Sequence, residues 1–365
     1  MAIGMTGMCA SSVPAQVPVD DSKWALIGDP GNRNNEGDEI HWPWAPPSGS
    51  VDYEYRISRL EVTIGEYLEF VIAYAPIYFQ NNPDDFYADL EFSGLGIRVT
   101  RIEIEIRGTN PDRPTTMGWD YAARYANWIH NGKVLEEWAY ETGVFDASTF
   151  AQQDGEDWEP QEFHSDQARY WIPTKNEWTK AAYWDPNKLG EGVGGYRLYP
   201  NGTDRALRPN LLPDEGGQRN AGEDSTIFPL SVGSFADQVS PWGVLDLAGG
   251  ESEWTEFFHL NVTYRRGLMG SEWRSVFYNE PPIEFVDDLD RLGTPSSSTV
   301  RVPRGLRLAT GLFHPVDLNQ DGRVNYFDIS AFIRLFVAGD DRADFRLDGQ
   351  FDFDDVRVFL GLMNN

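Results

Sequence analysis

The sequence predicts an α+β protein with abundant irregular loops, followed by a small helical unit made of two loop–helix repeats. Three observations carry this. Short helical periodicities with capping signals alternate with brief strand-like stretches up to about residue 185. From there to residue 310, Gly, Pro, Asn and aromatic residues dominate and no long helix is legible. After that the chain repeats itself with a period of 27 residues.

Taken in order, residues 23–50 lack periodicity and read as irregular structure, and residues 53–61 alternate loosely as a strand would. Thr63-Ile64-Gly65-Glu66 fits a capping box, in which the glutamate turns back onto the orphan amides of the first turn. Tyr67, Phe70, Val71 and Tyr74 then occupy one helical face, with Pro76 expected to stop the helix. In residues 97–106, Ile102, Ile104 and Ile106 alternate with charges, which predicts one strand with a dry face. Ala122, Tyr125, Ala126 and Ile129 mark a second helix, closed by Asn131-Gly132. A second capping box, Thr174 to Glu177, opens a third helix through Trp178, Ala181 and Ala182.

Composition narrows the function classes. Hydrophobic residues make up 41% and aromatic ones 14%, enough for a real core. Asp and Glu number 58 against 30 Lys and Arg, a net charge of -28, so nucleic acid and anionic membrane surfaces would be repelled. No apolar run reaches the roughly 18 residues of a membrane span; residues 68–79 are interrupted by Glu69 and Pro76. The single cysteine, Cys9, cannot form an intrachain disulfide or a thiolate zinc cage. The opening MAIGMTGMCASSVPAQ reads as the tail of a secretory signal peptide without its basic region, the alternative being an unstructured leader. The expected organisation is a leader at 1–22, a main domain at 23–310 and a C-terminal unit at 311–365, in a secreted or cell-surface protein.

The C-terminal repeat is the sharpest motif. Asp317, Asn319, Asp321, Asn325 and Asp328 put side-chain oxygens at positions 1, 3, 5, 9 and 12 of a loop, with Gly322 at its turn and the Arg323 carbonyl available. Calcium takes six to eight hard oxygens in flexible geometry, which this spacing supplies. The second loop keeps Asp344, Asp348, Asp352 and Asp355, with Gln350 matching Arg323, but has Arg346 at position 3, where a guanidinium repels a cation. One good and one weak calcium site are expected. Apolar faces Ile329, Phe332, Ile333, Phe336 and Val356, Phe359, Leu360, Met363 would pack stripe against stripe. With Asp at position 12 and no entering helix, residues 315–363 resemble dockerin domains, which implies docking onto a cohesin-like partner. The positions that recognise the partner in dockerins are here Tyr326-Phe327 and Phe353-Asp354.

The main domain carries a second resemblance, spread over several segments in order. They include Ile57 to Thr63, Gly118 to Ala122 with Tyr125 to Trp128, Ile172 to Trp178, Val232 to Phe235 and Gly249 to Trp254. Arg266-Gly267, Gly270 to Trp273 and Arg304 to Leu308 complete the series. Together they resemble the formylglycine-generating enzyme, or sulfatase-modifying-factor, family, which implies a loop-rich fold of the C-type-lectin kind. That family's enzymes oxidise a substrate cysteine with copper on two active-site cysteines. This chain has none beyond Cys9, so the resemblance carries the scaffold without that chemistry. A related branch, the ergothioneine-pathway sulfoxide synthases, uses non-haem iron on histidines; here His41, His130, His164, His259 and His314 show no HxxxH pair. The family also binds structural calcium, which the resemblance maps onto Asn220 and Glu253, with Gly250 standing where the family has asparagine. Trp119, Trp178, Trp254 and Trp273 are expected to fill the core in place of regular sheet.

The leading expectation is therefore a calcium-binding, non-oxidising family member presenting a loop surface to a glycan or peptide ligand. A metal-dependent oxidoreductase and a structural subunit of an extracellular assembly stay open beside it.

Overall fold

The computed structural model describes residues 21–36, 39, 47–108, 110–150, 161–166, 168–205, 207–208, 212–218, 230–259, 265–271, 291–292, 304–312, 316–319, 324–346 and 350–363. The strands are β1 (Trp24–Ile27), β2 (Tyr55–Ser58), β3 (Ile97–Val99), β4 (Ile104–Ile106), β5 (Tyr170–Trp171) and β6 (Trp184–Asp185). They continue as β7 (Gly195–Tyr196), β8 (Glu253–His259), β9 (Arg265–Met269), β10 (Arg291–Leu292) and β11 (Ala309–Thr310). The helices are α1 (Ile64–Asn81), α2 (Leu90–Ser93), α3 (Trp119–His130), α4 (Trp138–Glu141), α5 (Lys175–Tyr183), α6 (Tyr326–Ala338) and α7 (Phe353–Met363).

Both capping boxes form. The Glu66 N–H donates to Thr63 Oγ1 at 3.1 Å, and the Thr63 N–H donates to Glu66 Oε2 at 3.1 Å. Thr174 and Glu177 make the same exchange at 3.1 and 2.7 Å. Pro76, however, does not end α1, which runs on to Asn81. The backbone hydrogen bond missing at Pro76 would have gone to the Ile72 carbonyl, and both residues are exposed, so water can serve that carbonyl.

Two strand expectations are corrected. Residues 97–106 form a hairpin, with Val99 opposite Ile104 and Ile97 opposite Ile106. Thr100 makes the turn: its N–H donates to the Glu103 carbonyl at 2.8 Å, and its Oγ1 accepts from the Glu103 N–H at 2.9 Å. Ile102 therefore sits at the tip, 83% exposed, and not on a dry face. Within the stretch read as irregular, β1 pairs antiparallel with β2, Ala25 opposite Ile57. Leu26 is apolar yet 51% exposed, so the period of two is invisible in the residue types.

The main sheet has the order β1-β2-β11-β5. Ala309 faces Ile57 on one side and Trp171 on the other, so the two ends of the main domain close on each other. β8 and β9 form a hairpin, irregular between Trp254 and Phe258, with β10 on its outer edge. The core between these sheets and the helices is strongly aromatic. Phe70 stacks on Tyr74 with centroids 5.5 Å apart, and Phe92 stacks on Tyr78 at 4.7 Å. Trp119, Trp178 and Trp254 are buried in it, and Trp273 lies outside the described residues. One polar group, Asn127 of α3, is buried there with its amide satisfied. It donates to the Tyr140 and Phe145 carbonyls and accepts from the Val144 and Phe145 N–H groups, at 2.8–2.9 Å.

The C-terminal unit has its own small core of Val316, Phe332, Leu335, Ala343 and Phe359. Phe332 and Phe359, one repeat apart, lie face to face with centroids 4.2 Å apart. Ile333 and Leu360, also one repeat apart, are 56% and 43% exposed, so the packed stripe is narrower than the apolar pattern suggests.

Candidate functional site

The two C-terminal loops converge on the same local construction. The Asp328 carboxylate is buried at the start of α6, with Oδ1 accepting from the Asn319 N–H (3.2 Å) and Oδ2 from the Asn325 N–H (2.8 Å). Its counterpart Asp355 is buried and accepts from the Arg346 N–H (3.1 Å) and the Asp352 N–H (3.0 Å). In both, the carboxylate at position 12 folds back over the loop and organises it. Asp317 and Asp344, the first loop positions, are buried as well. Asn325 and Asp352 cap the helices, each accepting an N–H two residues on at 2.8 Å.

The donor set, hard carboxylate and amide oxygens, fits calcium. Asp321, Arg323 and Asp348 lie outside the described residues, and among the described ones no group of three or more His, Cys, Asp or Glu is arranged to hold a metal. Arg346 is engaged by the loop's own acids, with Nη1 3.3 Å from Asp354 and 4.0 Å from Asp352. Tyr326, Phe327 and Phe353 are all exposed at the helix starts.

In the main domain, Glu253 at the head of β8 is held differently. Arg307 donates to it twice, Nε to Oε2 and Nη2 to Oε1, both at 2.6 Å, and Trp178 Nε1 donates to Oε2 at 2.7 Å. Arg307 also donates to the Ser58 and Leu245 carbonyls, at 2.9 and 3.0 Å. All three side chains are buried, so the guanidinium supplies Glu253 with its counter-charge. Asn220, the other residue of the candidate calcium pair, lies outside the described residues.

Next to this pair is Glu61, buried, with Oε1 accepting the Glu251 N–H at 2.9 Å and Oε2 without a hydrogen-bond partner among the described residues. Burial, and then the neighbouring Glu253 and Asp246 carboxylates, push the Glu61 carboxyl well above its ordinary range. Burial raises Asp246 too. Gly250 has φ +74°, and a Cβ there would lie 2.5 Å from Glu61 Oε2. Where the resemblance places an asparagine, the space is filled by the Glu61 carboxyl.

A third feature was not legible in the sequence. His164 Nδ1 lies 2.6 Å from Glu256 Oε1, and the imidazole stacks on Trp171 with centroids 4.5 Å apart. Burial lowers the His164 pKa, but the bond to Glu256 and its charge outweigh that, and the net direction is up. Glu256 is pushed up by burial against the opposing pull of the imidazole. The imidazole and a buried carboxyl group are thus held to each other at hydrogen-bond distance. His130 differs: burial, aided by Arg169, lowers it to about 4, and its Nδ1 accepts the Arg169 N–H at 3.1 Å. His41, His314 and the His259 side chain lie outside the described residues.

A buried Glu–Arg pair ties β8 to the segment leading into β11 within this loop-rich α+β topology. Residues 12–305 match the sulfatase-modifying factor enzyme 1-like domain. That is well over half of the chain, and the chain belongs to this family. Among solved structures, it is similar to PvdO from Pseudomonas aeruginosa at 16% identity, over 79% of this chain and 94% of that one, with a TM-score of 0.42. It is also similar to CarF at 18% identity, over 82% of this chain and 100% of that one, with a TM-score of 0.43. No match was found among curated proteins. Among the described residues no helix is long and apolar enough to cross a membrane.

Proposed function

We propose that this chain is a secreted or cell-surface, calcium-binding member of the family that does not generate formylglycine. It works as a ligand-binding or interaction module, for a glycan or peptide, tethered by a dockerin-like C-terminal unit to a cohesin-like partner. The observation that carries this is the repeated carboxylate clamp, Asp328 over the first loop and Asp355 over the second. The first loop would hold calcium through Asp317, Asn319, Asp321, the Arg323 carbonyl, Asn325 and Asp328. The second, with Asp344, Asp348, Gln350, Asp352 and Asp355, would be weaker because Arg346 already balances its acids. A site at Asn220 and Glu253 would be weaker still, since Arg307 holds both Glu253 oxygens. Bound calcium would supply the positive charge that ties each loop to its helix. The family's copper chemistry has no cysteine pair to use here, the sole thiol being Cys9.

The test is a melting profile of the full chain with and without a calcium chelator, together with metal analysis of the purified protein. Chelation is expected to lower the melting of the C-terminal unit and leave the main domain where it was. An unchanged profile would remove calcium from the reading. A second reading, a metal-dependent oxidoreductase of the non-haem iron type, is favoured by one observation, the carboxylate-held imidazole of His164. Stoichiometric iron or copper with oxygen consumption would replace the first reading by this one.

A further inference from the structure

A cavity of about 710 Å³ opens between β1, the start of α1, the end of α3 and β5. That volume lies within the range of small-molecule sites, which are mostly apolar with a few placed polar groups. Its walls include Trp24, Ile129, Tyr170 and Leu308, with Trp24 stacked on Tyr170 at 5.8 Å. The cations around it are Lys23, Arg59 and Lys133, two of them drawn from only five lysines in a chain of net charge -28. Lys23 pairs with Glu66 at 3.3 Å and Lys133 with Glu69 at 2.5 Å, so these four charges cancel at the rim. The remaining acid, Glu61, directs Oε1 to the Glu251 N–H. Arg59 is different. Its Nη1 donates to the Gly243 carbonyl at 2.9 Å, and no carboxylate among the described residues pairs with it. In so acidic a protein, a guanidinium left without a carboxylate beside an apolar cavity is the feature a ligand anion would complete.

We propose that this cavity binds an amphipathic monocarboxylate, its carboxylate on Arg59 and its apolar body against Trp24, Ile129, Tyr170 and Leu308. The inference rests on the main domain being a ligand-binding module, and it does not involve the calcium loops.

Calorimetric titration of the full chain with decanoate, 1-decanol and decylammonium tests it. Decanoate is expected to bind at least tenfold more tightly than either analogue. Arg59→Gln, which keeps a donor for the Gly243 carbonyl, should erase that preference while leaving the melting temperature unchanged. Ile129→Trp, which fills the cavity, should abolish binding of all three compounds. Equal binding of decanoate and 1-decanol, an unaffected Arg59→Gln variant, or no decanoate binding by the folded protein would overturn the proposal. Adding chelator separates the two proposals: loss of the calcium-dependent melt alone leaves this one standing, and loss of decanoate binding alone leaves the calcium loops standing.

Discussion

Glu253 in the main domain and Asp328 and Asp355 in the C-terminal unit are all buried carboxylates, but they are neutralised in opposite ways. Glu253 has its counter-ion built in, a bidentate guanidinium from Arg307 with Trp178 as a further donor. Asp328 and Asp355 have backbone N–H groups, which donate hydrogen bonds without supplying a full charge. A buried ion is tolerable only when its charge is met. The first arrangement is complete within the protein, while the second suits a charge from outside, as the calcium reading requires.

The strongest way to break this contrast is Arg307→Met. It leaves Glu253 buried without its partner and should cost about 3–5 kcal/mol in urea unfolding of the main domain, with no rescue by calcium. Arg307→Lys should recover only part, because an ammonium cannot span both carboxylate oxygens. A loss below about 1 kcal/mol would mean that Glu253 is accommodated by other means. The C-terminal counterpart is Asp328→Ala. At calcium a hundredfold above Kd, it should remove about 2.7 kcal/mol of ligand-linked stability, read as the chelator-sensitive shift in melting. Asp355→Ala should remove less, since Arg346 already faces that loop's acids; equal effects would refute the inequality of the loops.

Acid sharpens the comparison further. His130 is held at about 4 in the folded main domain, below its ordinary 6.5, so its protonation favours unfolding. The stability it contributes is present above about pH 6.5 and is lost as pH falls toward 4, on the order of 3 kcal/mol. His130→Gln should flatten that slope, and an unaltered slope would assign the acid sensitivity elsewhere. Trp178→Phe removes one hydrogen bond to Glu253 together with part of a fully buried indole. At least about 1.5 kcal/mol is expected from the same urea experiment, the hydrogen bond and the cavity both contributing, and no change would show that Arg307 alone suffices.

Legibility followed the range of the interaction. The capping boxes at Thr63 and Thr174 were readable because every partner lies within three residues. The C-terminal repeat was readable because its period is written in residue types. Pro76 misled because the carbonyl that loses its hydrogen bond belongs to Ile72, which is exposed and can turn to water, so the helix runs on. Residues 97–106 misled because alternation is the same in one strand as in a hairpin whose turn hangs on a single hydroxyl, Thr100. The family segments contained Glu61, Glu253 and Arg307, yet nothing local marked them as one cluster.

By itself, then, the sequence determined the capping boxes that open α1 and α5, the scaffold family, and the absence of a second cysteine to pair with Cys9. It also set the two loops that end in Asp328 and Asp355. Only the tertiary structure decided that β11 inserts between β2 and β5, that Arg307 meets Glu253, and that Glu61 takes the space beside Gly250. Local structure is governed by hydrogen bonds between near neighbours, which residue order displays. The state of a buried charge depends on which distant side chain shares its low-dielectric surroundings, and that is known only once the chain has closed on itself.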